Sequence, residues 1–328
     1  MDAGQVPTRR LGANGPEVPV FRLGSWNTWD RMTPERAAEL IATAVGRGIT
    51  LFDVAHYNFG PHAENAMTDV IFGKAVREAG VAREDYLLCG KLWLWDYPAA
   101  SFAGQLRTSL DRVGVDRADL VVLGDFFGPL DLRAVVGEVG ELMRDGWFGA
   151  WGVNNWAARD VWRAREIAIA EGVTPPSFAQ LKYSLARRSV PEGEPYGRLF
   201  AEGGMGLQAS DVFEGGILAG KLQPTRKIGA DPGGIRDRIR AAYPRVEAAA
   251  HRLGATPAQL AVAYCLTHPP VATVLFGVSD LAQLQDNLGA LDLLTRHGDT
   301  LREALTDLWL DRDIVHPDAS WGTDGPTD

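Results

Sequence analysis

The sequence predicts an α/β protein built as a single (β/α)8 barrel, or TIM barrel, with a helical and loop extension at its C-terminal end. Three observations support this fold class. About eight strand-like runs alternate with segments of helical period, most of the strands are apolar throughout, and 328 residues are enough for one large domain. Strands that are apolar on both faces must be covered on both faces. We expect the barrel over residues 1–310 and a polar tail over residues 311–328.

The first half of the chain shows the repeating unit most clearly. An extended run at 18–26 precedes a predicted helix at 33–48, in which Thr33 suits the N-cap and Pro34 the first turn. Further strands are expected at 49–55, 85–94, 118–125 and 149–155, and further helices near 64–79, 101–114, 132–146 and 157–171.

The second half continues this alternation. Strands are expected at 178–185, 205–211 and 271–278, and helices at 195–202, 236–253, 257–267 and 280–291. Right-handed crossovers between parallel strands close naturally into a barrel. A doubly wound open sheet is the alternative, but no G-x-G-x-x-G motif follows the first strand.

Composition and charge exclude several classes of protein. Hydrophobic residues make up 46% and charged residues 23%, which is typical of a globular protein and not of a disordered chain. The formal net charge is −9, so no basic field is available for nucleic acid or an anionic membrane surface. No apolar run approaches the roughly 20 residues that span a bilayer, and the first residues lack a signal-peptide pattern. We therefore expect a cytoplasmic protein without a metal site, with reduced, buried thiols at Cys89 and Cys265.

Polar side chains collect at the carboxyl ends of the expected strands. In a (β/α)8 barrel these ends form one face, and active sites lie on it. Acidic, aromatic, cationic and amide groups all occur there, namely Asp53, Tyr57, Lys91, Asp125, Asn154, Asn155, Gln180 and Asp211. A lysine beside a carboxylate could also be a structural ion pair, and that alternative stays open.

A series of short motifs along residues 10–292 resembles the aldo-keto reductase superfamily. In chain order these are Gly24-Ser25-Trp26, Phe52-Asp53-Val54-Ala55, Lys91 in LLCGK, Gly152-Val153-Asn154-Asn155, Gln180 with Tyr183, Gly216-Ile217-Leu218-Ala219-Gly220-Lys221, and Gly277-Val278-Ser279 followed by Gln283, Asp286 and Asn287. The closing motif and Lys221 are most similar to the branch that includes potassium-channel β subunits and many bacterial reductases.

The resemblance implies an NADP(H) cofactor bound in an extended pose without a Rossmann unit. Asn155 and Gln180 would hold the nicotinamide carboxamide, since amide side chains both donate and accept. The adenosine-side phosphate would contact Ser279, Gln283 and Lys221, and the adenine would contact Asp286 and Asn287. The rest of the implied cofactor-binding set is Gly24, Ser25, Trp26, Asp53, Ser210, Asp211 and Gly277.

The same resemblance implies hydride transfer to a carbonyl carbon, with a tyrosine as the proton donor. Tyr57, Lys91 and Asp53 would be the catalytic residues. An ammonium beside a phenol lowers its pKa from about 10, and a carboxylate holds the ammonium charged and in place.

Two departures from the family pattern affect this chemistry. The histidine that polarises the carbonyl is replaced by Gly124, which leaves space for a substrate or a loop, and a lost donor of this kind costs ~2.7–4 kcal/mol of transition-state stabilisation. Tyr57 follows Asp53 by four residues instead of five, so Asn58 takes the usual tyrosine place. We expect Tyr57 to remain the donor, with Asn58 in that site as the alternative. His56 and His62 in the same loop could also donate protons.

The third departure is the missing ring that stacks on the nicotinamide. Ser210 takes its place, and Asp211 follows it, where it could stabilise positive charge or form a salt bridge with a rim arginine. Aromatic walls typically line such sites. The expected substrate-pocket residues are Trp26, Trp93, Gly124, Asp125 and Trp156, although strand alternation turns Asp125 away from Gly124. Other aromatic residues near the mouth, either pocket or packing, are Trp29, Trp95, Phe126 and Phe127.

These observations predict an NADPH-dependent oxidoreductase acting on a C=O, C=N or conjugated C=C bond of a small organic substrate. Loss of the histidine makes a simple aldehyde less plausible than an activated carbonyl, an imine or an enone. A non-redox lyase or isomerase on the same scaffold is one alternative, and a cofactor-binding regulatory subunit with little activity is another. A homo-oligomer is possible.

Overall fold

The computed structural model describes residues 5–26, 28–57, 66–126, 128–224 and 228–318. Eight parallel strands close into a barrel in the spatial order β10-β3-β4-β5-β6-β7-β8-β9, which confirms the predicted fold class. They are β3 (Phe21–Gly24), β4 (Leu51–Asp53), β5 (Leu87–Leu92), β6 (Leu120–Leu123), β7 (Ala150–Asn154), β8 (Phe178–Lys182), β9 (Gly206–Ser210) and β10 (Val271–Phe276). An antiparallel pair, β1 (Thr8–Arg10) and β2 (Glu17–Pro19), precedes them.

Helices follow the strands and cover the outside of the barrel. They are α1 (Pro34–Gly46), α2 (Thr68–Glu78), α3 (Phe102–Val113), α4 (Leu132–Arg144), α5 (Ala158–Ala170), α6 (Glu194–Ala201), α7 (Arg236–Arg252), α8 (Pro257–Leu266), α9 (Leu281–Leu288) and α10 (Ala290–Ala304). Thr33 caps α1 as predicted, since its hydroxyl accepts from the backbone N–H of Arg36. No helix in the described ranges is long and apolar enough to cross a membrane.

The barrel interior is apolar at its base and polar above. Its lower part is filled by Leu51, Cys89, Leu120, Val122, Ala150 and Phe178. Two residues further along their strands, Asp53, Lys91 and Gln180 point into the same interior, because side chains alternate along a strand. Burial raises the pKa of the Cys89 thiol to about 12, so this cysteine is an unreactive part of the base. The polar groups therefore stand on a closed apolar floor.

The start of the segment after residue 310 packs against the barrel. Asp311 is fully buried, and its carboxylate accepts from the backbone N–H groups of Arg188 at 3.0 Å and Ser189 at 3.2 Å. The Ser189 hydroxyl donates to the Asp311 carbonyl at 3.0 Å, and Val315 is also buried. The polar composition of residues 311–328 does not predict this contact, because the partners of Asp311 are backbone groups and the Ser189 hydroxyl.

We expect Asp311→Ala to destabilise the protein by about 1–3 kcal/mol for each backbone N–H left buried without an acceptor. Urea unfolding measures the difference. Asp313→Ala is the matched control, because Asp313 is exposed two residues away and should change stability by less than about 0.5 kcal/mol. Equal effects of the two variants would show that the segment is not docked through Asp311.

Candidate active site

A buried ion pair lies at the centre of the site. Asp53, the last residue of β4, is paired with Arg22 on the neighbouring strand β3, whose Nη2 donates to Asp53 Oδ2. Gln180 Nε2 on β8 donates to the same oxygen at 2.9 Å, and Arg22 Nη1 donates to Gln208 Oε1 on β9. Burial by itself would raise the pKa of Asp53, but Arg22, Lys91 and the Gln180 hydrogen bond together hold that pKa below its ordinary value. Asp53 is therefore a carboxylate at neutral pH.

Lys91 reaches Asp53 only through an intervening amide. Its Nζ donates to Gln180 Oε1 at 3.1 Å and lies 5.5 Å from the ring centre of Trp93, at the half-buried end of β5. Within the described residues no hydrogen bond joins Asp53 to Lys91; Arg22 and Gln180 donate to the carboxylate, and Lys91 acts on it through its charge. Arg22 was absent from the predicted site. The available signal was an arginine in the middle of an otherwise apolar strand.

Tyr57 lies in an aromatic cluster beside the ion pair. Its ring centre is 6.4 Å from that of Trp26 and 5.7 Å from that of Trp93, and only 6% of the residue is exposed. Burial raises the pKa of the phenol well above 10, the Asp53 carboxylate raises it further, and Ser25 and Arg22 offset only part of this. The phenol is therefore neutral at pH 7, which is the opposite of the lowering expected from Lys91.

The other predicted donors in this loop differ in position. Burial lowers the pKa of His56, Arg112 lowers it further, and Asp69 only partly opposes them, so His56 is largely neutral at pH 7. Its backbone carbonyl accepts from Trp93 Nε1 at 2.9 Å. Asn58 and His62 lie outside the described residues.

Gly124 does not leave open space, contrary to the expectation from the sequence. A Cβ at this position would lie 3.0 Å from Trp93 Cε3 and 3.4 Å from the Leu92 carbonyl oxygen. The Trp93 indole is held there by stacking on Trp95, with ring centres 4.5 Å apart. The place of the missing histidine side chain is thus filled by an indole.

The predicted pocket residues divide into wall and packing positions. Trp26 is half-buried beside Tyr57, whereas Trp93 at 4% and Trp156 at 2% exposure are packed inside the protein. Trp156 Nε1 donates to the Gly124 carbonyl at 2.8 Å. Asp125 accepts from Asn154 Nδ2 at 3.0 Å. A cleft of about 470 Å³ opens beside Asn155 and Trp156, between the loop before α4 and the start of α5. Trp29 is fully buried against Phe72, and Phe127 lies outside the described residues.

Asp211 belongs to a cluster of half-buried charges beside Ser210. Its Oδ2 accepts from Lys182 Nζ at 2.7 Å and Arg236 Nη2 at 3.4 Å. Burial would raise the pKa of Asp211, but Lys182 and Arg236 hold it below its ordinary value. Lys182 Nζ also donates to the Ala230 carbonyl at 2.7 Å, which ties the segment 228–236 to the barrel mouth. The salt-bridge alternative for Asp211 is therefore observed, with Lys182 as a partner that the sequence prediction missed.

The two residues expected to hold the nicotinamide carboxamide differ in whether their side-chain amides have a hydrogen-bonding group free. Asn155 has a left-handed backbone with φ of 53°, and its Oδ1 accepts from the Lys182 N–H at 3.0 Å. Its amide N–H₂ remains available at the mouth. Both ends of the Gln180 amide are engaged, with Lys91 on one side and Asp53 on the other.

The residues expected around the adenosine end form two groups. Ser279 and Gln283 hydrogen-bond to each other at 3.1 Å, Arg36 Nη2 lies 3.5 Å from the Ser279 carbonyl, and Lys221 is exposed beside Gly216. Arg36 is a further cation that the sequence prediction missed.

Asp286, by contrast, is engaged at the start of α8. Its carboxylate accepts from Thr256 Oγ1 and Gln259 Nε2, each at 2.9 Å, and these two residues form the capping box of that helix. Its next neighbour Asn287 is buried. The adenine contact expected for Asp286 therefore competes with a structural one.

The remaining predicted cofactor residues lie at the same end of the barrel. Gly24 is the register partner of Asp53, and the Ser25 N–H donates to the Asp53 carbonyl at 2.9 Å. Ser210 ends β9 beside Asp211. Gly277 has a local reason to be glycine, because a Cβ there would lie 2.7 Å from Thr28 Oγ1.

The Arg22–Asp53 pair makes the free energy of unfolding depend on pH, and this contribution decreases in acid. A carboxylate with a depressed folded pKa stabilises the protein fully above its unfolded pKa of about 4 and loses that contribution as pH falls through the folded pKa. We expect Asp53→Asn to cost about 3–5 kcal/mol at pH 7, because Arg22 is left buried without a counter-charge. The difference in the free energy of unfolding between wild type and variant should stay constant from pH 7 to about pH 5 and become smaller at lower pH.

Urea unfolding at a series of pH values measures that difference. The exposed Asp116→Asn variant is the control and should show a small difference at every pH. A large Asp53→Asn difference that does not narrow in acid would mean that Asp53 is not ionised in the folded protein.

The packing at Gly124 predicts the effect of restoring the histidine. Gly124→His should destabilise the protein by about 1–3 kcal/mol, because the new side chain must displace the Trp93 indole. Adding Trp93→Ala should recover part of this loss in a double-mutant cycle measured by urea unfolding. Strictly additive effects would contradict direct contact between the two positions.

Comparison with known proteins assigns the chain to a family. The model of the aldo/keto reductase family matches residues 22–300. The chain is 26% identical over 310 residues to a probable voltage-gated potassium channel subunit beta of Arabidopsis thaliana, covering 87% of this chain and 91% of the relative. The matched region contains all eight barrel strands except the first residue of β3, together with the polar layer above the apolar floor. The chain therefore belongs to the aldo/keto reductase family.

Proposed function

We propose that the protein is an NADP(H)-dependent oxidoreductase of the aldo-keto reductase type that acts on a small organic substrate. The observation that carries the proposal is the joining of Lys91 and Asp53 through Gln180, with Tyr57 beside them, at the carboxyl end of the barrel. Active sites of (β/α)8 barrels lie at this end. Family membership supports the general activity.

The donor groups present fit an NADP(H) molecule. Ser279, Gln283, Lys221 and Arg36 offer hydroxyl, amide and cationic donors of the kind that hold a phosphate, and Asn155 offers a free amide for the carboxamide. When bound, NADPH supplies the hydride that reduces the substrate double bond. The negative charge of Asp211 does not repel an anionic ligand strongly, because its ion pairs with Lys182 and Arg236 neutralise it.

The protein's own groups divide the remaining chemistry. Asp53 is ionised and cannot donate a proton, so its role is to fix Gln180 and, through Gln180, Lys91. Tyr57 carries its proton at neutral pH and is the proposed proton donor to the substrate. The Lys91 ammonium is the proposed electrophile that stabilises negative charge developing on the substrate, in place of the missing histidine.

This division of roles narrows the substrate class. A phenol with a raised pKa is a weak acid, and Trp93 offers no strong donor at the former histidine position. An activated carbonyl, an imine or a conjugated C=C bond needs less electrophilic assistance than a simple aldehyde does. We therefore place the substrate among these three classes.

The test combines cofactor binding with single-turnover kinetics. NADPH fluorescence gives the binding constant, and stopped-flow absorbance follows oxidation with a panel of activated carbonyls, imines and enones. We expect Lys91→Met and Tyr57→Phe each to slow oxidation by about 10²–10⁴-fold while NADPH affinity stays within a few-fold. Lys74→Met is the matched control, because Lys74 is exposed on α2.

The outcomes separate the candidate functions. Absence of NADPH binding would overturn the cofactor assignment. Product formed without net NADPH consumption would indicate a non-redox lyase or isomerase instead.

A cofactor-binding regulatory subunit with little activity is the second candidate. Three observations favour it. Asp53 pairs with Arg22 and not with Lys91, the pKa of Tyr57 is raised, and the Arabidopsis relative is named as a channel subunit. Tight NADPH binding, together with slow oxidation that Lys91→Met does not change, would support this candidate over the first.

A further inference from the structure

Three buried polar side chains in the barrel interior each have one polar atom without a hydrogen-bond partner among the described residues. Arg22 Nε, Gln208 Nε2 and Thr273 Oγ1 have no partner within the ranges that the structure describes. All three residues are 0% exposed, so water outside the barrel does not reach these atoms. An unsatisfied buried donor costs about 1–3 kcal/mol, so three of them require an explanation.

The three residues are neighbours on adjacent strands. Arg22 on β3 contacts Gln208 on β9 directly, and Gln208 is the register partner of Thr273 on β10, the strand between them. Paired residues on neighbouring strands point to the same face of a sheet, so Thr273 shares the interior face with Gln208. The leftover atoms therefore belong to one small region.

The orientation of the Gln208 amide is fixed by its other contacts. Its Oε1 accepts from Arg22 Nη1 and faces Gln180 Nε2 at 3.4 Å, so the unpartnered end is the N–H₂ group. The N–H of Arg22 and the N–H₂ of Gln208 can only donate, and the hydroxyl of Thr273 can donate as well. A guest in this region must therefore accept hydrogen bonds.

Charge favours an anion over a neutral acceptor. Among the described residues, the polar layer formed by Arg22, Asp53, Lys91, Gln180 and Gln208 contains two cations, Arg22 and Lys91, and one carboxylate, Asp53, which accepts from Arg22 and Gln180 on one oxygen. The apolar floor closes the region from below, and Gln180, the register partner of Gln208, borders it at the same level. Because Arg22, Gln208 and Thr273 are all fully buried, an anion that contacts them must be small.

We propose that the barrel interior binds a small anion, of the size of a halide, between Arg22, Gln208 and Thr273. The anion accepts from Arg22 Nε, Gln208 Nε2 and Thr273 Oγ1 and balances the charge of the polar layer beneath the candidate active site. This proposal does not depend on the proposed oxidoreductase activity, and its test needs neither NADPH nor a substrate.

Thermal unfolding of the full chain tests the proposal with bromide as the probe. Sodium bromide replaces sodium gluconate at constant ionic strength, because gluconate is too large for the interior. A ligand that binds only the folded state raises the Tm along a saturating curve. We expect such a curve, and in bromide-soaked crystals we expect an anomalous peak between the three atoms.

Two variants identify the site. Gln208→Glu replaces the donating N–H₂ group with a carboxylate oxygen that repels an anion, so it should abolish the bromide response. Thr273→Val removes one donor at constant shape and should weaken bromide binding by about tenfold, the effect of one hydrogen bond. Thr300→Val is the matched control, because Thr300 is exposed on α10, and it should behave like the wild type.

The same measurements can overturn the proposal. A bromide response that does not saturate, or one that Thr273→Val leaves unchanged, would rule out binding at these atoms. Crystals with no anomalous peak there would mean that water, and not an anion, satisfies the three donors. Thr273→Val keeps the test decisive even if Gln208→Glu does not fold.

Discussion

The ion pair between Arg22 and Asp53 lies at the centre of the barrel, where bulk water reaches neither charge. A buried guanidinium requires a counter-charge, and Asp53 on the adjacent strand provides it. Gln180 and Gln208 satisfy further groups of the pair. The apolar floor closes this region from below. The arrangement of the candidate active site follows from this one requirement.

The first consequence concerns the roles of the residues proposed to be catalytic. Because Arg22 occupies the Asp53 carboxylate, the amide of Gln180 becomes the link to Lys91. The charged carboxylate and the aromatic burial together keep Tyr57 protonated. With the Trp93 indole at the former histidine position, the site offers a weak acid and one ammonium. This combination is the basis for the proposed substrate class of activated carbonyls, imines and conjugated C=C bonds.

The fold and the place of the site could be predicted because both depend on local pattern. Continuously apolar strands imply a sheet covered on both faces, and the polar residue that ends a strand lies on the catalytic face wherever the barrel closes. Asp53, Lys91, Asn155 and Gln180 were found in this way. Predicting that these residues lie on this face does not require knowing which strands are neighbours in the barrel.

The pairing of charges could not be predicted in the same way, because it depends on distances between strands that are far apart in sequence. Arg22 and Asp53 are adjacent only after β3 and β4 pair, and Gln208 reaches Arg22 only after β9 and β10 close the barrel. The same limit applies to Asp286, whose partners cap α8, and to Asp311. A polar side chain shows that it needs a partner, but not which one.

The most direct measurement compares two double-mutant cycles by urea unfolding at pH 7, one for Arg22→Met with Asp53→Asn and one for Lys91→Met with Asp53→Asn. The account predicts a coupling of several kcal/mol for Arg22 with Asp53, in the range of about 3–5 kcal/mol for a buried pair, and a clearly smaller coupling for Lys91. A larger coupling between Lys91 and Asp53 would contradict it, since Lys91 and not Arg22 would then be the partner of the carboxylate.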